Sequence, residues 1–143
     1  MGIKRTVPLK RSRVRAATVC AGAGTDELET SELIVTADLA VRHYLMRTAF
    51  GDSVKCFTCP TVGGWAHMEV GHFIKRSIYL TRWDIRNVKP QCPKCNHAGG
   101  RTDVYAAALE TLQPGLPDEL RLASHRPFRL TRDFILSQIQ SLR

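Results

Sequence analysis

Apolar residues recur every three or four positions between residues 25 and 50, and this spacing predicts the first helix of the chain. Thr25 is the expected N-cap, acidic residues crowd the first turn, and the Gly-Asp-Ser sequence at residues 51–53 is expected to end the helix. The apolar positions of the stripe are Leu28, Leu33, Ile34, Ala37, Val41, Leu45 and Met46.

The pattern changes to a partial alternation of β-branched and aromatic residues between residues 65 and 80, directly after Gly63 and Gly64. Such alternation predicts a strand or a short hairpin. Periodicity and turn residues then predict three further helices, at residues 102–112, 117–123 and 131–142. The apolar anchors of the last helix are Phe134, Ile135, Leu136 and Ile139. Helix, β-hairpin, helix and C-terminal helices together predict an α+β fold.

Size and composition are those of a soluble globular domain, because the chain has 143 residues, of which 43% are hydrophobic and 24% charged. Its core is expected to be modest, so a structural metal would help to stabilise it. No apolar run is long enough for a membrane span, and the N-terminus lacks the apolar stretch of a secretory signal. We therefore expect a cytoplasmic protein with no membrane contact. The expected divisions are a basic flexible arm over residues 1–24, a central domain over 25–112 and a helical extension over 113–143.

Positive charge is concentrated in two parts of the chain, whose formal net charge is +8. Residues 16–54 carry a local charge of −4, whereas residues 55–105 carry +5. The N-terminal arm has six basic residues and no acid: Lys4, Arg5, Lys10, Arg11, Arg13 and Arg15. This distribution is typical of a protein that neutralises nucleic-acid phosphates, although a solvated basic surface has the same composition.

Four cysteines follow the pattern C-x2-C-x32-C-x2-C, at Cys56, Cys59, Cys92 and Cys95. Paired Cys-x-x-Cys turns without an export signal favour a tetrahedral Zn²⁺ site, with a pair of redox dithiols as the alternative. Cys20 lies outside the set. The 32-residue gap is longer than in small zinc fingers, so it leaves room for a hairpin held by the metal at both ends.

The segments around these cysteines carry a family resemblance. "CFTC" at residues 56–59, "GHFIKR" at 71–76, "TRWDIRN" at 81–87, "QCPKCN" at 91–96 and "GRTDVYAAAL" at 100–109 resemble the HNH, or ββα-metal, nucleases. The match is closer to the phage NinG/Rap recombination endonucleases. The resemblance implies a small ββα-metal core stapled by a structural zinc on the four cysteines, in a phage-encoded protein of the bacterial host cytoplasm. It also implies metal-dependent hydrolysis of branched DNA, such as Holliday junctions and D-loops.

The same resemblance implies roles for individual residues. His72 falls at the position of the general base that activates water, and a buried structural histidine is the alternative. Asn96 falls at the position of a ligand to a catalytic Mg²⁺ or Mn²⁺, and a helix-capping asparagine is the alternative. Asn87 matches the middle asparagine of the HNH name, which supports the catalytic loop through backbone hydrogen bonds.

The sequence departs from the family pattern at two positions. Many HNH enzymes carry an aspartate directly before the catalytic histidine as the second metal ligand, whereas this chain has Gly71, as the NinG/Rap pattern does. The remaining candidates for that ligand are Glu69, Asp84, Asp103 and His97. The second departure is Arg101, which follows Gly100 where the family tends to have asparagine.

Phosphate contacts are predicted for the basic residues after the expected base: Lys75, Arg76, Arg82 and Arg86. Trp65 and Trp83 are either core residues or platforms that stack on bases. Because a four-way junction has two strands to cut, a C2 homodimer is the candidate assembly, with the helices after residue 117 as its expected interface. Two other functions fit the same residues: a general HNH nuclease that nicks duplex DNA, and a zinc-stapled DNA-binding module without catalysis.

Overall fold

The computed structural model describes residues 28–49 and 51–143 as a mixture of helices and small antiparallel sheets, which is compatible with the predicted α+β class. The elements in chain order are α1 (Thr30–Thr48), β1 (Val54–Lys55), β2 (Val62–Gly63), β3 (Glu69–His72), α2 (Tyr79–Arg82), β4 (Val88–Gln91), α3 (Pro93–His97), α4 (Thr102–Leu112), α5 (Leu116–Ser124) and α6 (Arg132–Ser141). Single 3₁₀ turns cover Trp65–His67 and Gly99–Arg101.

Helix α1 begins with a capping box in which the Glu29 backbone N–H donates to the Glu32 carboxylate over 3.0 Å. The expected cap, Thr25, lies outside the described residues. Most of the predicted apolar stripe is present, since Leu33, Ala37, Val41 and Leu45 are all buried, but Met46 is exposed because it lies off this face of the helix. The polar side of the same helix carries Arg42, which donates to the carbonyl oxygens of Met68 and Trp65 over 3.0 and 2.7 Å. These bonds hold the start of β3 against α1.

Helix α6 packs along α1 in the same direction. At one end Arg132 donates to the Leu28 carbonyl oxygen, and at the other Arg47 donates to the Leu142 carbonyl oxygen over 2.7 Å. Ile135, Ile139 and Leu142 are buried in the shared core. Helix α6 therefore buries its apolar face within the chain, whereas Leu122 of α5 stays exposed. The homodimer with the helices after residue 117 as its interface stays a prediction.

The predicted hairpin is only partly correct. Within residues 65–80 a four-residue strand forms, β3, and it pairs antiparallel with β4, so that Glu69 lies opposite Gln91 and His72 opposite Val88. The rest of that stretch forms the 3₁₀ turn and α2. A second short ladder joins β1 to β2 at the first cysteine pair. Because β4 leads directly into α3, the chain order here is strand, strand, helix, with the second cysteine pair at the junction.

Helix α4 has the predicted bounds and contacts the β3–β4 pair through Tyr105. Its Tyr105 is fully buried, and the phenol donates to the carbonyl oxygens of Gly71 and Asn87 over 3.1 and 3.3 Å. Phe57 and Phe73 pack against the ring, with centroids 4.9 and 5.8 Å away. One aromatic side chain thus fixes the end of β3 to the start of β4.

Across residues 28–49 and 51–143, none of the helices combines the length and the apolar character needed to cross a lipid bilayer.

Candidate functional site

The four cysteines of the two Cys-x-x-Cys turns meet in one cluster, with their sulfur atoms all within 4.8 Å of one another. All are free thiols; Cys56, Cys92 and Cys95 are buried and Cys59 is half-buried. Tetrahedral thiolates about 2.3 Å from a zinc ion lie about 3.8 Å apart, and the Cys59 and Cys92 sulfurs are separated by 3.8 Å. The cluster could therefore hold a structural metal such as zinc.

The surroundings of the cluster act differently on its thiols. The Cys92 backbone N–H donates to the Cys56 sulfur over 3.3 Å. Hydrogen bonding with the Thr61 side chain and backbone lowers the pKa of Cys59 to about 6. The hydrogen bond with Thr58 acts to lower the pKa of Cys95, but burial and the neighbouring thiols outweigh it and raise that pKa to about 11. The first turn is itself held by Cys56 N–H, which donates to the Thr61 carbonyl oxygen over 2.8 Å. The thiolate form is thus favoured at the first cysteine pair and disfavoured at Cys95.

A cavity of about 450 Å³ opens between α1, β3, α2 and α3, and we call it the cleft. The chemically active side chains that line it are Asp38, Glu69, His72, Arg76, Arg82, Asn96 and His97. The expected base and the expected metal ligand, which are 24 residues apart in the sequence, therefore face the same space.

His72 ends β3 and contacts the backbone of the segment that follows. Its Nε2 lies 3.0 Å from the Arg82 carbonyl oxygen. Because a carbonyl oxygen only accepts, Nε2 must carry the hydrogen, and in the neutral ring Nδ1 is then the basic nitrogen. Burial lowers the pKa of His72, and this effect outweighs the Arg82 and Val70 carbonyl oxygens, which favour the charged form. The ring is thus neutral near pH 7, as a general base needs to be.

Glu69, Asn96 and His97 meet at another part of the cleft wall. The Asn96 amide nitrogen donates to Glu69 Oε2 over 2.7 Å, and His97 Nε2 lies 3.1 Å from Glu69 Oε1. The first strand residue of β3 is thereby joined to the last turn of α3. The Glu69 carboxylate and the Asn96 and His97 side chains thus form one hydrogen-bonded group that remains open to solvent.

Gly71 has no room for a side chain. A Cβ atom built there would lie 2.1 Å from Gln91 Oε1 and 2.6 Å from Gln91 Cδ. Gln91 is fully buried and donates through Nε2 to the Thr58 hydroxyl and to the Gly100 carbonyl oxygen, over 2.8 and 2.9 Å. An aspartate at position 71 would therefore point into the core and not into the cleft, and a carboxylate ligand has to come from another position.

The candidates for that carboxylate are separated by the structure. Glu69 lines the cleft, whereas Asp84 and Asp103 do not. Asp84 accepts hydrogen bonds from the Arg86 backbone N–H and guanidinium, at distances between 2.8 and 3.2 Å. Asp103 is exposed in the first turn of α4. Of the residues proposed from the sequence, only Glu69 and His97 accompany Asn96.

Asp38 is the residue that the sequence analysis missed. This α1 carboxylate receives two hydrogen bonds from the Arg82 guanidinium, at 2.9 and 2.7 Å, and one from Trp83 Nε1 at 2.9 Å. Arg76 forms a further ion pair with it at 2.6 Å. Burial alone would raise the pKa of Asp38, but the donors of Arg82 and Trp83 and the two positive charges lower it. The sequence contained one signal for this role: Asp38 is an acid next to the apolar stripe of α1. A carboxylate that is partly buried at such a position needs a positively charged or hydrogen-bonding partner.

The predicted phosphate-binding residues fall into two groups, and for two of them the prediction needs correction. The Arg82 side chain is only 9% exposed and is committed to Asp38, so it supports the cleft wall. Arg86 is paired with both Asp84 and Glu119, at 2.8 and 2.6 Å, so its charge is compensated. Arg76 is also paired, with Asp38, but its side chain is 63% exposed at the cleft, and Lys75 beside it is exposed. These two basic side chains remain accessible to a phosphate.

Asn87 closes the loop between β3 and β4. Its Oδ1 accepts from the Ile74 N–H over 2.7 Å, and its Nδ2 donates to the Thr81 and Ile74 carbonyl oxygens over 2.9 and 3.2 Å. Because the side chain is fully buried, this role is support for the loop that carries Arg76. Trp83 is a core residue, whereas Trp65 is half-buried against the same core. The basic residues of the N-terminal arm lie outside the described residues.

No protein-family model, curated protein or solved structure matches this chain. The functional interpretation therefore rests on the residues themselves and on the geometry of the cleft.

Proposed function

We propose that the chain is a metal-dependent endonuclease that hydrolyses phosphodiester bonds in branched DNA. The observation that carries the proposal is the convergence of His72 with Glu69, Asn96 and His97 in one cleft. The β3–β4–α3 order with a histidine at the end of the first strand and an asparagine in the helix is compatible with a ββα-metal nuclease core. The choice of branched DNA rests on the resemblance to the NinG/Rap sequences.

In the proposed mechanism His72 takes a proton from a water molecule through Nδ1, while its Nε2–H stays on the Arg82 carbonyl oxygen. The water oxygen attacks the phosphorus, and the bond to the leaving oxygen breaks. Asn96 and Glu69, with His97 beside them, would hold a Mg²⁺ or Mn²⁺ ion, which supplies electrostatic stabilisation of the charge on the leaving oxygen. Arg76 and Lys75 would position the phosphate next to the base. Zinc on the four cysteines would be structural, because a site with four thiolate ligands leaves no open position.

The test is cleavage of a four-way junction beside a linear duplex of matched sequence, with Mg²⁺ or Mn²⁺ present. We expect cleavage of the junction to be much faster, and we expect His72→Ala to abolish it while binding persists. Equal rates on both substrates would favour a general HNH nicking nuclease. A protein that binds junctions but cuts neither substrate with any divalent ion would be a zinc-stapled DNA-binding module, and the proposed mechanism would be wrong.

A further inference from the structure

The connection between α5 and α6 carries positive charge that the chain does not compensate. Residues 125–130 read His-Arg-Pro-Phe-Arg-Leu and contain no acid. Arg126 and Arg129 are exposed, and in the part of the chain that the structure describes neither guanidinium has an acidic partner. By contrast, carboxylates hold the guanidinium groups of Arg76, Arg82, Arg86 and Arg121. These two charges are therefore available to an external anion.

The segment is anchored to the core. The Phe128 ring packs edge-on against Phe134, with centroids 4.8 Å apart, and Leu130 packs on the α1–α6 core. The Thr131 hydroxyl caps α6 by accepting from the Phe134 N–H over 3.2 Å. Pro127 restricts the backbone between the two arginines. Both side chains thus extend from a fixed base, which reduces the entropy lost when they bind.

The segment lines a groove that adjoins the cleft through neighbouring residues of the chain. A groove of about 200 Å³ separates it from residues 77–80, and Ser77, Ser124, Arg126 and Phe128 contribute to its walls. Ser77 directly follows Arg76, which lines the cleft. A chain of phosphates bound at Arg76 would therefore reach the groove by crossing a single residue of the protein. Hydroxyl groups, a guanidinium and a partly exposed aromatic ring are the groups that hold a nucleic-acid backbone and stack on an unpaired base.

We propose that residues 126–129 form a second nucleic-acid contact, which binds the strand that flanks the cleft. Arg126 and Arg129 contact phosphates, and the exposed edge of Phe128 contacts a base next to the branch. This inference rests on the proposed function, because it takes the cleft as the place where the same strand is cut. It assigns the α5–α6 connection to substrate binding.

The experiment compares Arg126→Ala and Arg129→Ala with Arg143→Ala in the full chain. Arg143 follows Leu142 at the opposite end of α6, so its removal changes the net charge equally but leaves the groove intact. Binding of a fluorescent four-way junction is measured by anisotropy from low to high salt. Each groove variant should lower the slope of log K against log [salt] by about 0.9 and weaken binding about eightfold at 0.1 M salt. Arg143→Ala should change neither quantity, and all three variants should keep wild-type melting and metal content.

Unchanged slopes in both groove variants would overturn the inference, and so would an equal loss in Arg143→Ala. Binding of a poly-glutamate peptide that is as tight as DNA binding and is lost in the same variants would also overturn it, since the partner would then be an acidic protein. Cleavage is measured separately. If Arg126→Ala and Arg129→Ala weaken DNA binding but the wild type never cuts DNA, the result supports this contact and refutes the proposed nuclease activity. If both variants bind and cut DNA as the wild type does, the result supports the nuclease activity and refutes the contact.

Discussion

The replacement of Gly71 by alanine tests the packing that excludes a carboxylate from position 71. The new Cβ would lie 2.1 Å from Gln91 Oε1 and 2.6 Å from both Cδ and Cγ. Real Cβ atoms do not approach other atoms so closely, so the Gln91 side chain has to leave its position. It cannot do so freely, because Gln91 is fully buried and Tyr105 ties the Gly71 carbonyl oxygen to α4.

The expected cost has two parts. Overpacking of a buried site destabilises by about 1–3 kcal/mol. Displacing Gln91 also breaks its hydrogen bonds to the Thr58 hydroxyl and the Gly100 carbonyl oxygen, and an unpaired buried amide costs about 1–3 kcal/mol more. We therefore expect Gly71→Ala to lower the free energy of unfolding by about 3 kcal/mol, which corresponds to a fall in Tm of about 10 °C for a chain of this size.

The assay is urea denaturation of zinc-saturated protein followed by circular dichroism, with a double-mutant cycle through Gln91→Ala. Gln91→Ala alone should be destabilising because it removes the two hydrogen bonds. In that background, Gly71→Ala should cost less than about 0.5 kcal/mol, since the clashing atoms are gone. A single Gly71→Ala variant as stable as the wild type would refute the reasoning, as would an equal cost in both backgrounds.

Four further predictions concern the metal cluster, the expected base, the ion pair behind it and the loop after α3. Cys92→Ser should remove the zinc, expected at about one ion per chain, and abolish cooperative unfolding; metal analysis and thermal melting measure both, and a variant with full zinc would contradict the site. Because burial lowers the pKa of His72, the fall of kcat/KM on the acid side should have its midpoint below the usual histidine value of 6.5; a midpoint above 6.5 would contradict the lowered pKa. Asp38→Asn should cost about 3 kcal/mol at pH 7, because it leaves the Arg82 charge without a partner; since the pKa of Asp38 is lowered, the difference from wild type should disappear as denaturation is repeated at pH values below 3.8. Arg101 has a left-handed backbone with φ of +50°, so Arg101→Gly should stabilise by about 1 kcal/mol in the same assay, and a loss of stability would show that the arginine side chain compensates the strain.

Local features of the site were predictable because their causes are local. The helix at residues 102–112 has the predicted bounds, since periodicity, a threonine at its start and the break at Pro114 all act within a few residues. The cysteine cluster follows from ligand chemistry and spacing alone. The burial of Asn87 agrees with the supporting role that the family resemblance implied.

The pairing of short strands was not predictable to the same degree. Strand β3 has four residues and β1 has two, which is too few for alternation to show clearly. The partner of β3 is β4, which follows after the α2 segment, so the hairpin is wider than residues 65–80 suggested. Tyr105 contributes to the pairing of β3 with β4, because its hydroxyl donates to the Gly71 and Asn87 carbonyl oxygens, one at each strand. A contact of this kind cannot be seen in the sequence.

By itself the sequence determined the elements with strong local signals and the metal-ligand chemistry of the cysteines, and it named the side chains proposed as base and cation ligand. Only the tertiary structure decided which of them share a space. In the folded chain Asn96 donates a hydrogen bond to Glu69, and the buried Arg82 is paired with Asp38. The Gln91 side chain occupies the space that a side chain at position 71 would need. The physical reason is that periodicity and capping act between neighbours in the chain. Ion pairing and steric exclusion act between residues that are 20 to 44 positions apart here, and these depend on the packed fold.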